Sequence, residues 1–341
     1  MSKILRTFQA GIWAVAIAAT LSSCIDEDMS DCGKDYQINY TLRLNTQVNA
    51  TIDQELNQNE EQEIASRLKS ALGTVFTDHA KDNDLSFFVG DELSHHEANP
   101  MDASSVSYTI FLPRNNYRNL ALANTSAESA ISLIGQDKAT TLAMTQEKTD
   151  TIDSHKNGLF SARLNIAEDD FNSNLQTTLY MQNAAAAVVI DKNNVAYEDI
   201  RGCVKGMANT FAINDSTYSY DYGTIVRANK VASTSQHEAL YAVSFPSKDA
   251  ATTSKVTTSK ATTKATSDES QDDIWQFHIY VKIDGKTTQN ILSFHEPLKA
   301  GTLKIAKVTL QPNGSFTSDN PSVGVSVKLD WKPGGSHDID I

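Results

Sequence analysis

Four groups of side chains in this 341-residue sequence have the types and spacing to do chemistry. His95-His96-Glu97 sets two imidazoles beside a carboxylate, the donor types of a zinc site. Adjacent side chains diverge on a strand, and no third ligand follows at a familiar spacing, so the cluster reads as a solvated loop. Glu168-Asp169-Asp170, just before Phe171, could offer oxygens to a hard cation, and as readily forms a solvated turn. Tyr218, Tyr220 and Tyr222 alternate on one strand face, where such rings either stack on a sugar or pack across strands. Cys24, Cys32 and Cys203 are the thiols. His278 falls on the polar side of an alternating segment and reads as a surface residue.

The local patterns of catalysis are missing. There is no Gly-x-Ser-x-Gly elbow, Walker loop, dinucleotide fingerprint or EF-hand loop, and His237-Glu238 is followed by Ala239-Leu240-Tyr241 rather than a second ligand histidine. The sequence therefore points to no catalytic residue, no metal and no cofactor, and to a non-enzymatic protein.

Cys24 carries the clearest covalent chemistry. Lys3 and Arg6 form a positive n-region, and the apolar stretch from Phe8 to Leu21 is shorter than the roughly 20 residues of a membrane span. It closes in Leu21-Ser22-Ser23-Cys24, which resembles the lipobox of bacterial lipoproteins. Residues 1–23 are thus expected to be a cleaved signal peptide, with acyl chains such as palmitate on Cys24. At about 0.8 kcal/mol per buried methylene, two or more chains hold a protein stably on a membrane. The acidic run Ile25-Asp26-Glu27-Asp28-Met29-Ser30-Asp31 reads as part of a solvated lipid tether over 24–35, and resembles the acidic signal that sends lipoproteins of Bacteroidota to the cell surface.

Loss of Lys3 and Arg6 takes the formal charge from −13 to −15. Such a chain is repelled by phosphate backbones, which argues against nucleic-acid binding. With Cys24 acylated, Cys32 and Cys203 either pair in an oxidising periplasm or stay as free buried thiols.

The elements that must position these groups are mostly strands. Tyr36, Ile38, Tyr40, Leu42 and Leu44 alternate with polar residues, as do Trp275 to Ile283 and Val323 to Trp331. Further strands are expected at 85–89, 106–112, 159–166, 177–190, 198–206, 239–245, 291–295 and 302–310, with a turn at Pro312-Asn313-Gly314. Between Glu60 and Ala80, Ile64, Leu68, Leu72 and Val75 recur at helical spacing, which predicts one amphipathic helix packed on the first domain's sheet. The fold class is mainly β and sandwich-type. Length suits two domains, 36–180 and 181–341, the second with a mobile Thr/Ser/Lys loop at 247–273 that has almost no apolar side chain.

Ordered segments along nearly the whole mature chain resemble the fimbrial anchor-subunit family of Bacteroidales, the lipoproteins at the base of type V pili. They are 24–32 with Tyr36-Gln37-Ile38-Asn39-Tyr40, then 179–191, 214–218, 295–301 and 323–334. The resemblance implies two tandem transthyretin-like β-sandwich domains and a structural role in cell adhesion. The fimbrium would be fixed to the outer membrane through the acyl chains, and its length limited in some members. It also implies shaft or accessory subunits as partners, joined by β-strand addition, in which backbone hydrogen bonds supply much of the affinity. A surface glycan-binding lipoprotein, using Tyr218, Tyr220 and Tyr222 as its platform, is the competing reading, and an exported hydrolase the third.

Overall fold

The computed structural model describes residues 33–44, 48–126, 128–135, 142–146, 151–220, 224–249, 274–318 and 323–329. Its architecture is mainly β, in layered sheets. The first sheet has seven strands in the spatial order Glu92–Ala103, Ala80–Val89, Tyr117–Ala123, Phe160–Ile166, Asn174–Met181, Lys34–Arg43 and Ser105–Leu112. Neighbours run antiparallel except Lys34–Arg43 beside Asn174–Met181. The outermost strands follow one another in the chain and meet at Ser104, whose carbonyl accepts a hydrogen bond from the Leu42 N–H at 2.9 Å, so the sheet curls toward closure. Alternation sets the register of Lys34–Arg43: Tyr36, Ile38, Tyr40 and Leu42 are buried and the residues between them are not.

A central sheet holds Asn229–Lys230, His237–Ser244, Ala184–Asp191, Leu303–Leu310 and Phe316–Thr317 in that order. A six-stranded sheet lies against it, in the order Val323–Leu329, Lys286–Phe294, Trp275–Ile283, Asp199–Lys205, Ile225–Arg227 and Thr151–Ile152. A small fourth sheet of Thr217–Ser219, Thr210–Ala212, Ala143–Gln146 and Ile131–Ile134 draws strands from both sides of residue 180.

The expected strand 177–190 is two strands in two different sheets. The chain leaves the first sheet at Met181 and enters the central one at Ala184. Gln182 and Asn183 fill the crossing, and the Asn183 amide oxygen accepts from the Leu159 N–H at 2.5 Å. Gln182-Asn183 is too short a polar break to mark the step, because strand-forming residues lie on both sides of it.

Helical structure also differs from expectation. Helix α1 spans Val48–Glu55, a 3-10 turn spans Asn59–Glu61, and α2 runs only over Gln62–Gly73, with Ala80 already opening a strand. The stripe Ile64, Leu68 and Leu72 is fully buried. Helix α1 has no legible period in the sequence, because Val48 and Ile52 are its only buried apolar residues.

The helices are not confined to one module. They sit between the first sheet and the central sheet, in a core shared by Tyr36, Ile38 and Phe87 on one side and Ala185, Ala187, Val189 and Ile305 on the other. The opposite face of the central sheet, Ala184, Ala186, Val188 and Ile190, packs on Phe277, Ile279 and Leu292 of the six-stranded sheet. Ala184–Ile190 is thus buried on both faces, which explains its uninterrupted apolar sequence and its small side chains.

Candidate functional site

His95 and His96 lie on an outermost strand, not in a loop. Their rings go to different partners: His95 Nε2 is 2.8 Å from Glu97 Oε1, and His96 Nε2 is 2.9 Å from Asp84 Oδ2. The strand Glu92–Ala103 carries no apolar alternation in its sequence, because it is polar, exposed on one pleat and only half covered on the other. Glu168, Asp169 and Asp170 form a turn. Arg114 Nε stands 3.1 Å from Glu168 and a second guanidinium nitrogen reaches Asp169, while Asp170 Oδ2 accepts from its own turn's Ala167 N–H at 2.6 Å. A guanidinium therefore occupies the place a bound cation would take.

His278 is not a surface residue. It is 5 % exposed, bonded at 2.8 Å to Gln276 and at 2.9 Å to Gln289 on the outer face of the six-stranded sheet, whose long polar neighbours cover it. Cys203 is a buried free thiol, pushed up to about 11 by burial, with Lys205 acting in the opposite sense. Cys24, Cys32 and Tyr222 lie outside the described residues, as does most of the loop 247–273.

Tyr218 and Tyr220 do not present an open platform. The Tyr218 ring packs 4.7 Å from the Phe211 ring and 6.0 Å from Phe245, and its hydroxyl donates to Gln182 Oε1 at 2.6 Å. Tyr220 donates to the Ser247 carbonyl at 2.7 Å. Burial raises both phenols, Tyr220 to about 12. These rings close the small fourth sheet over its own apolar cluster, so cross-strand packing is the use the fold makes of them.

Two features had no sequence signal, because their members are far apart in the chain. The first is a buried polar hub where the sheets meet. His155 Nε2 bonds Gln146 Oε1 at 3.1 Å, and its Nδ1 accepts from the Asn183 amide at 3.0 Å. Glu128 Oε2 accepts from the Lys156 and Asn157 N–H groups at 2.7 and 3.1 Å. Complete burial lowers His155 to about 4, against a smaller upward pull from Glu128, so the imidazole is neutral with its proton on Nε2.

The second is a groove of ≈ 820 Å³ between the helical segment and the end of the central sheet. Val189 and Ile305 belong to its apolar floor. Glu55, Glu60, Glu61 and Asp191 line it against one ammonium, Lys307, which lies 3.2 Å from Glu61. The groove is open and acidic. Among the described residues, no group of three or more His, Cys, Asp or Glu side chains could hold a metal ion, and no helix is long and apolar enough to cross a membrane.

No family model matches the sequence, and no curated protein matches it. Several solved structures are similar to it at low identity. The fimbrial anchor protein Mfa2 from Porphyromonas gingivalis has 9% sequence identity and a TM-score of 0.46, over 87% of this chain and 98% of that one. A candidate adhesin from Bacteroides ovatus has 10% identity and a TM-score of 0.49, over 89% and 96%. A candidate polysaccharide-binding protein from Bacteroides thetaiotaomicron has 9% identity and a TM-score of 0.48, over 86% and 98%. The chain is similar to these proteins at a level too low for any role to be carried across.

Proposed function

We propose that this chain is a structural, non-enzymatic anchor subunit that ties a fimbrium to the outer membrane at the cell surface. In this reading residues 1–23 are removed and Cys24 is acylated. Residues 24–35 form the tether, and 36–180 and 181–341 are two transthyretin-like β-sandwich domains. Shaft or accessory subunits join by β-strand addition.

The observation that supports it best is the path from the sulfur into the fold. Lys34 opens a strand only ten residues after Cys24. That strand is paired from Gln37 to Arg43 in parallel with Asn174–Met181 and from Lys34 to Thr41 antiparallel with Ser105–Leu112, so residues 37–41 are held on both sides. A pull along the tether loads two hydrogen-bond ladders in shear, so no single bond carries the force. The strand also buries Tyr36, Ile38, Tyr40 and Leu42, each 4 % exposed or less, and so cannot be drawn out without opening the main core. Glycan capture has less support, since Tyr218 and Tyr220 face inward.

The test is Cys24→Ala in cells. Filaments should appear in the medium with this protein at their base, and filaments that stay on the cell would refute the reading.

A further inference from the structure

The central sheet has two edges, and the fold treats them differently. Beside His237–Ser244, nearby chain supplies bonds: the Val231 N–H donates to the Ala239 carbonyl at 3.1 Å, the His155 N–H to the Val243 carbonyl at 2.9 Å, and the Val243 N–H to Ser154 Oγ at 2.8 Å. Beside Leu303–Leu310, the two-residue strand Phe316–Thr317 pairs only with Leu310 and Thr309.

The direction of the remaining backbone groups follows from alternation. The Thr302 carbonyl accepts from the Ala185 N–H at 2.9 Å, so even-numbered residues face Ala184–Asp191. Residues 303, 305 and 307 face outward, and Ser318 Oγ reaches the Lys307 carbonyl from that side at 3.1 Å. Among the described residues, Leu303 and Ile305 meet no other partner there. Lysines often guard such an edge. Here Lys304 is engaged by Glu296 at 2.6 Å and Lys307 by Glu61 at 3.2 Å.

We propose that the outward edge at Leu303, Ile305 and Lys307 accepts one extended segment of a filament subunit, with Lys or Arg at the positions that face the helices. The proposal rests on the anchor reading and names the surface that reading leaves unassigned. The side chains of Ile305 and Lys307 enter the acidic groove, so an added strand sends every second side chain toward that space. Four carboxylates against one ammonium there favour a cationic side chain. The alternate positions face the pleat of Ala306 and Val308, buried against the six-stranded sheet, which favours small apolar residues.

The experiment places a photo-crosslinking residue at exposed Thr317 in the full-length lipoprotein in cells, with a control at Phe111, which is 66% exposed on the first sheet's outermost strand. Adducts with a filament subunit should form from Thr317 and map to a segment with alternating basic residues. Lys307→Pro removes the outward N–H and should cut the adduct about tenfold or more, by blocking pairing on either side of it as well. Lys307→Ala keeps the N–H and frees Glu61, and should leave the adduct within about twofold. Glu60→Lys should lower it by roughly fivefold. Filament adducts from Phe111 and not Thr317, or an acidic mapped segment, would overturn the edge assignment while leaving the anchor reading intact. Filaments that stay cell-bound in Cys24→Ala would instead remove the reading beneath it.

Discussion

His155 makes the fold sensitive to acid, by an amount that can be worked from its surroundings. The neutral ring is held by a donor at Nδ1 (the Asn183 amide) and an acceptor at Nε2 (Gln146 Oε1). A second proton would set an N–H against the Asn183 N–H and bury a charge, which is why the group lies at about 4 instead of 6.5. The folded-state value is depressed for a base, so the unfolded chain binds the extra proton first. Stability from this group is complete above about pH 6.5 and is lost as the pH falls toward 4. At 1.36 kcal/mol per pKa unit the loss is about 2 kcal/mol by pH 5 and about 3 kcal/mol by pH 4. The assay is urea unfolding of the mature chain between pH 8 and pH 4, beside His155→Gln, which keeps an amide in the hub and removes the titration. The variant starts less stable at pH 8, and its decline from pH 8 to pH 5 should be smaller by about 2 kcal/mol. Parallel curves for the two proteins would refute the argument, because every other titrating group is common to both.

Ala187 is 1 % exposed and faces the helices, so Ala187→Leu should overpack that layer and cost about 1–3 kcal/mol in urea unfolding. Tyr218→Phe leaves Gln182 Oε1 without its 2.6 Å donor and should cost about 1 kcal/mol, with no change in retention on immobilised polysaccharide. Loss of retention would favour the competing glycan-binding reading. Cys203 should resist iodoacetamide at pH 8 in the native protein and react on unfolding, read by mass spectrometry, because burial holds the thiol at about 11.

Within a strand, the sequence already carried most of the information. Trp275, Phe277, Ile279 and Val281 alternate with Gln276, His278 and Tyr280, and the fold buries the first set in one core. The Pro312-Asn313-Gly314 turn has Gly314 at φ +80°, a backbone conformation its sequence made available, and the Gln311 N–H closes it on the Ser315 carbonyl at 2.9 Å. Helix α2 declared its buried stripe in the same way. These features are set by neighbours within a few residues, where period and local sterics decide the outcome.

What the sequence left open was which strand lies beside which. Nothing local says that Met181 and Ala184 belong to different sheets, that α1 and α2 sit between two sheets, or that His155 meets Gln146, Asn183 and Glu128. Even His278, polar by pattern, is buried because Gln276 and Gln289 fold over it. Such contacts join residues far apart in the chain, and their energy comes from layers closing together, so only the tertiary structure decides them. The candidate sites divide along the same line. The expectation at Cys24 is legible because it is read from a linear segment, whereas the acidic groove and the sheet edge beside it exist only once Glu55, Asp191 and Ile305 have been brought to one place.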